Sequence, residues 1–203
     1  MTIDEIMRVS PVIPVLIVDD VATAIPIAEA LVAGGLRVLE VTLRTPCAIE
    51  AIAEMAKVEG AIVGAGTVLN PKGLDAALSA GARFIVSPGL TDRLAHAALS
   101  NRVPFLPGIS SAGDLMRGLD MDLRHYKFFP AATSGGIPAL RALAAPFGNA
   151  LFCPTGGISQ ASASDWLAEP HVACIGGSWL VKNGVADVRA IADAASLTRK
   201  STM

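Results

Sequence analysis

The sequence predicts an α/β protein built as a single compact (β/α)8 TIM barrel over residues 1–203. Three observations carry that prediction. Apolar, β-rich runs take turns with Ala- and Leu-rich helical stretches eight times along the chain. Thr67, Ser87, Pro107 and Lys127 follow one another at steps of 20 residues, the mark of a repeated βα unit rather than of two domains. Composition agrees, since 52% hydrophobic and 17% charged residues suit strands covered on both faces, while no apolar run reaches the roughly 18 residues of a membrane span. Right-handed βα units close naturally into a barrel, whose usual length is about 250 residues, so the loops here must be short. An open doubly wound sheet is the runner-up. Its dinucleotide signature is weak, because Gly64-Ala-Gly66 lacks the third glycine of GxGxxG and does not sit on the first unit.

The elements follow in order. Residues 1–8 read as a short helix. The first strand is 12–18; Asp19 and Asp20 can cap the helix that runs to Ala33, where Gly34-Gly35 supplies the stop. The second strand, 36–42, precedes a helix opening near Pro46, and 61–63 leads through Gly64-Ala-Gly66-Thr67 into a helix over 71–80. Strands at 83–86 and 103–106 follow, ending on Ser87-Pro88-Gly89 and Pro107-Gly108, each with a helix behind it, 92–99 and 112–119. His125-Tyr126-Lys127-Phe128-Phe129 is the sixth strand, closed by Pro130, with a helix over 137–144. Strand 150–153 with Pro154-Thr155-Gly156-Gly157, a helix near 161–167, strand 172–175 with Gly176-Gly177-Ser178, and a helix over 185–195 complete the chain.

Charge and composition bound the partners. A net charge of −2 gives no basic field for nucleic acid or acidic lipid, so neither nucleic acid nor membrane is expected, and a small molecule is. Cys47, Cys153 and Cys174 form no CxxC pair, and their odd number argues against a disulfide framework. The first residues lack the basic start and apolar core of a signal peptide, which places the chain in the cytoplasm. His96, His125 and His171 show no metal-ligand spacing, and no metal is expected.

The chemistry is concentrated on two strands. Strand alternation puts Lys127 and Phe129 on one face, with Tyr126 and Phe128 on the other. With both faces covered, the Lys127 amine is held in apolar surroundings that favour its neutral form, a candidate nucleophile; the plainer alternative is a stem on apolar surface with its charge in water. In Leu39-Glu40-Val41-Thr42-Leu43-Arg44, alternation sends Glu40, Thr42 and Arg44 inward. A Glu40–Arg44 ion pair at the strand's end is the plain reading, but three inward charges in so apolar a chain are costly unless used. Thr155-Gly156-Gly157 and Gly176-Gly177-Ser178 close the last two strands, where barrels place backbone amides around a phosphate. Glycine is also used for turns alone.

These residues resemble a known family. The matching segments are Pro11-Val-Ile-Pro-Val15, Ala33-Gly-Gly-Leu-Arg-Val-Leu-Glu-Val-Thr-Leu-Arg-Thr45, Val63-Gly-Ala-Gly-Thr-Val-Leu-Asn-Pro71, Ser87-Pro-Gly-Leu-Thr91, Leu106-Pro-Gly-Ile-Ser110, Lys127-Phe-Phe-Pro-Ala131, Phe152-Cys-Pro-Thr-Gly-Gly-Ile-Ser159 and Cys174-Ile-Gly-Gly-Ser-Trp-Leu-Val181. Together they are similar to the class I aldolases of 2-dehydro-3-deoxy-6-phosphogluconate and 4-hydroxy-2-oxoglutarate. The resemblance implies a barrel capped by its N-terminal helix, a homotrimer, no cofactor, and reversible cleavage to pyruvate and D-glyceraldehyde 3-phosphate in the Entner-Doudoroff route. It implies Lys127 as Schiff-base lysine and Glu40 as general acid and base. By the same likeness Arg44 and Thr67 hold the substrate carboxylate, Pro88 and Phe129 line the pyruvate pocket, and Thr155, Gly156, Gly157, Gly177 and Ser178 form the phosphate end. Ala132-Thr133-Ser134 departs from the usual acidic or amide-bearing turn, which bears on fine specificity. Another phosphosugar barrel enzyme, whether an isomerase, an epimerase or a galactonate-series aldolase, and a non-catalytic phosphosugar-binding barrel are the alternatives.

Overall fold

The protein, a computed structural model, is described over residues 1–199; the last four positions of the expected 1–203 domain lie outside the described residues. In chain order the elements are α1 (Ile3–Val9), β1 (Val12–Leu16), α2 (Ala24–Ala33), β2 (Val38–Thr42), α3 (Ala48–Met55), β3 (Ile62–Gly66), α4 (Pro71–Ser79) and β4 (Ile85–Val86). Then come α5 (Asp92–Ser100), β5 (Phe105–Leu106), β6 (Gly108–Ile109), α6 (Ala112–Leu119), β7 (His125–Phe128), α7 (Gly136–Ala144), β8 (Leu151–Pro154), α8 (Ala163–Leu167), β9 (Ile175–Gly177), β10 (Val181–Lys182), β11 (Val185–Ala186) and α9 (Val188–Ala195). Local chemistry sets several boundaries. Thr2 and Glu5 form a reciprocal capping box on α1, Asp20 caps the short 3-10 turn before α2, and Asn70 with Pro71 opens α4.

The α/β alternation is present, but the expected closed eight-stranded barrel is not. A curled, six-stranded parallel sheet runs in the order β5-β4-β3-β2-β1-β9, and a separate sheet holds β6-β7-β8. The break falls at Pro107, between β5 and β6. Having no N–H, proline cannot donate to a ladder, and the chain changes partner there: Leu106 pairs with Val86 on one side, Gly108 with Lys127 on the other. Between β8 and β9 the link is two isolated bridges, Phe152 to Val172 and Thr155 to Gly176, rather than a continuous ladder.

Three further expectations are corrected. The last helix begins at Val188, not Val185, because Asn183 and Gly184 turn the chain with positive φ (50° and 75°) and pair Val181-Lys182 against Val185-Ala186. Gly176 and Gly177 lie within β9, paired with Ile13 and Pro14 of β1, rather than in a turn after it. The helix expected near Pro46 starts two residues later, at Ala48.

Side chains sort into two apolar layers. Outward-facing Leu39, Val41, Tyr126, Phe128 and Phe152 pack against the helices. Inward-facing Ile13, Val38, Ile62, Phe84, Val86, Leu106, Cys153 and Cys174 form a second cluster with Ile6 and Met7 of α1. Because Val38 and Ile62 are the first residues of their strands and Ile13 the second of its own, this inner cluster fills the N-terminal end of the sheets, and α1 covers it. His125, the inward residue below Lys127, is taken up by that cover, its Nε2 lying 3.0 Å from Asp4 Oδ1. The hydrogen bond from Arg8 holds the Asp4 carboxyl below its ordinary range; burial opposes that shift and His125 adds to it.

Candidate active site

Above the apolar layer, at the C-terminal ends of the strands, the polar residues begin. β7 places Lys127 directly over this layer, and β2 places Glu40 opposite it. Nζ of Lys127 donates to Oε1 of Glu40 at 2.8 Å, with side chains only 7% and 3% exposed. The lysine does not reach solvent. Glu40 is therefore paired with Lys127 and not, as the simplest reading of β2 has it, with Arg44. Gly66 on the neighbouring strand explains how the carboxylate fits, since a Cβ there would stand 2.2 Å from Oε1. On the other side of Nζ lies the Phe129 ring, its centroid 5.4 Å away.

A cavity of about 230 Å³ opens at Lys127, with Glu40 behind the lysine rather than in the lining. Lys127 and Phe129 line one side, Arg44 another. The turn after β8 contributes Thr155, Gly156, Gly157 and Ile158, β9 contributes Gly176 with Ser178 beyond it, and β1 contributes Val15 with Ile17 beyond it. The Arg44 side chain makes no hydrogen bond or ion pair among the described residues, leaving its guanidinium donors open to a ligand. Its loop is anchored instead through neighbours: Thr45 Oγ1 and Cys47 Sγ both donate to Val18 O, at 2.6 and 3.1 Å. Gly156 and Gly157 hold φ of 100° and 74°, a region that disfavours any other residue, so this turn requires its glycines.

Other expected site residues sit apart from that lining. Thr67 directly follows β3 and has φ of 58°, uncommon for a non-glycine residue. The Pro88 carbonyl packs against Gly108, where a Cβ would come within 2.2 Å of its oxygen. Gly177 faces the Trp179 ring, which a Cβ would meet at 2.1 Å, while a Cβ on Gly176 would meet Thr155 Oγ1 at 2.3 Å. The second glycine pair is thus demanded by strand packing. Val15 and Ile17 line the cavity without a role assigned from the sequence, and the alternation of β1 carries the signal for them; Ile158 and Gly176 belong to the two glycine motifs already noted.

Beneath the site the thiols are packing groups: burial first, then the hydrogen bond with Cys153, pushes the Cys174 thiol well above its ordinary range. Among the described residues no three His, Cys, Asp or Glu gather where they could hold a metal ion, and no helix is long and apolar enough to cross a membrane. A buried amine touching a carboxylate, an open guanidinium and a glycine turn beside them can bind an oxo acid, form an imine with it and move protons on it.

Comparison with known proteins agrees with that chemistry. A family profile described as KDPG and KHG aldolase matches residues 3–194. The 2-dehydro-3-deoxy-phosphogluconate aldolase of Zymomonas mobilis is 54% identical over 99% of this chain and 98% of its own length. The crystal structure of the 2-keto-3-deoxy-6-phosphogluconate aldolase from Zymomonas mobilis ATCC 29191 superposes with a TM-score of 0.96 at 53% identity, covering both chains completely. A KDPG aldolase from Legionella pneumophila, solved with pyruvate captured as a covalent carbinolamine intermediate, gives a TM-score of 0.93 at 42% identity over 97% of this chain and 99% of that one. With matches of this length and identity, the chain belongs to the KDPG and KHG aldolase family.

Proposed function

We propose that this protein is a class I aldolase that cleaves 2-dehydro-3-deoxy-6-phosphogluconate reversibly to pyruvate and D-glyceraldehyde 3-phosphate, and 4-hydroxy-2-oxoglutarate to pyruvate and glyoxylate. The observation that carries the reading is the buried Lys127–Glu40 contact, whose lysine lines a cavity together with the unpaired Arg44. Glu40 takes a proton from Nζ across that contact. The neutral amine then bonds to C2 of the keto acid, and Glu40 returns the proton as the former carbonyl oxygen leaves as water. The resulting iminium accepts the electron pair released when C3–C4 breaks, while Glu40 takes the C4 hydroxyl proton. Arg44, with Thr67, fixes the carboxylate beside the ketone in a bidentate fork.

Pro88 and Phe129 serve as walls for the three-carbon end. Amides of Gly156, Gly157 and Gly177 and the hydroxyls of Thr155 and Ser178 serve the phosphate. The iminium supplies the electron sink, so these steps call for no metal or organic cofactor. We assign the whole chain to one domain, acting in the cytoplasm as a homotrimer. Incubation with pyruvate and borohydride tests the reading: mass spectrometry is expected to find a reduced pyruvyl group on Lys127 and activity lost. No adduct, or one on Lys57 or Lys182 instead, overturns it.

A further inference from the structure

Phe129 directly follows β7, two residues beyond Lys127, and its amide still donates to Ile109 O at 3.1 Å. Its side chain therefore leaves the strand on the same side as the lysine. Nζ stands over the ring, 5.4 Å from the centroid, inside the roughly 6 Å at which a cation is drawn to the negative potential of an aromatic face. The ring is backed by the glycine turn: a Cβ on Gly156 would stand 3.2 Å from the ring edge. Nζ thus lies between two partners of different kinds. Glu40 gains and loses protons; the ring does neither.

That difference matters in the reaction proposed above, on which this inference rests. Passing from ammonium to iminium, the nitrogen gives up two of its three N–H donors, and Glu40 must turn to the C4 hydroxyl. When C3–C4 breaks, the electron pair moves into the iminium, the nitrogen becomes that of a neutral enamine, and Glu40 holds the proton. Delivery of that proton to C3 restores both the cation and the carboxylate. The ring interacts strongly with the nitrogen only while it is cationic. We infer that Phe129 is the fixed electrostatic partner of the Schiff-base nitrogen. Its π face favours iminium over enamine, and so draws the enamine, once the aldehyde has left, back to the cation from which water releases pyruvate.

Replacing Phe129 with phenylalanines bearing one to four ring fluorines removes negative potential from the ring face and nearly keeps its shape. With pyruvate in D2O, methyl exchange measured by NMR reports passage from iminium to enamine, and borohydride trapping at Lys127 reports the imine fraction. Exchange per imine is expected to rise steadily with fluorine number, by about 2- to 5-fold at four fluorines, part of what a desolvated cation–ring contact is worth. Phe129→Tyr, which keeps a π face, is expected to show no such rise in exchange per imine, whatever happens to its imine fraction. Phe129→Leu, which has none, is expected to show the rise even where its imine fraction falls. A flat or falling ratio across the fluorine series, or a leucine variant that matches wild type, overturns the inference and leaves the ring as a wall. Absence of trapped imine in the wild-type protein is a different failure, because it removes the Schiff-base reading itself.

Discussion

Gly66→Ala tests whether Glu40 works from the position it occupies. A Cβ at residue 66 would lie 2.2 Å from Glu40 Oε1, 2.7 Å from Cγ and 2.8 Å from Cδ, whereas ordinary contact begins at 3.4 Å. Residue 66 does not have positive φ, so alanine brings no backbone strain and the whole conflict falls on Glu40. The carboxylate must retreat by about 1 Å, enough to stretch its 2.8 Å contact with Nζ beyond hydrogen-bond reach. A misplacement of about 1 Å can cost ~10²-fold in rate, and the crowding itself is expected to cost about 1–3 kcal/mol of stability. At about 2–4 °C per kcal/mol for a chain of this size, Tm should drop by several degrees with the fold intact. Pyruvate release coupled to NADH oxidation measures kcat, and circular dichroism measures Tm. Gly73→Ala on α4, where a Cβ meets nothing closer than 3.8 Å, is the matched control. A Gly66→Ala enzyme that is folded and has kcat within about threefold of wild type would refute the assignment of Glu40 as the proton carrier.

Three further outcomes are expected. Glu40→Gln keeps the shape but removes the base, so kcat should fall by about 10²–10⁴-fold with less change in KM, whereas Arg44→Lys loses the fork and should raise KM for the keto acid; steady-state kinetics separate the two. Ser178→Asp sets a carboxylate at the proposed phosphate end, so kcat/KM should drop further for the six-carbon phosphate than for 4-hydroxy-2-oxoglutarate, and equal losses count against that assignment. Burial pushes Tyr126 up to about 12, above its unfolded value near 10, so the stability it contributes is complete below pH ~10 and is lost as pH rises toward 12; Tyr126→Phe should flatten that limb of a urea-midpoint series while forfeiting about 1 kcal/mol with the hydrogen bond to Leu123 O.

Much of the site was legible because alternation along a strand is a strong constraint. The inward set Glu40 and Lys127 and the outward set Leu39, Val41, Tyr126 and Phe128 follow from it directly. Which inward charges meet is not a local property: Glu40 and Lys127 are 87 residues apart, and their contact depends on how the two sheets curl toward each other. The division of those sheets was also hidden. In the sequence Pro107 reads as the end of a strand, whereas β5 and β6 lie on either side of it with different partners. By contrast, the hairpin at Asn183-Gly184 was readable, since Asn-Gly is a strong turn signal, and the helical pattern that follows obscured it. Gly176 and Gly177 show the converse. Their spacing suggests a phosphate turn, but the side chains that exclude a Cβ there, Thr155 and Trp179, become visible only once β9 is placed.

The apolar layer under Lys127, with Ile6 and Met7 of α1 beneath it, closes the N-terminal end of the interior, and the cavity opens at the other end of the strands. In the reaction proposed above, that arrangement would give traffic an order. The three-carbon fragment on Lys127 would lie deepest, with the aldehyde fragment between it and the mouth. In cleavage the aldehyde would have to clear the mouth before water could reach the imine and free pyruvate. In condensation pyruvate would have to be seated first, because an aldehyde that entered ahead of it would block its own partner. Sequential loading would then follow from an apolar plug capped by a short helix, none of whose residues takes part in the proposed chemistry.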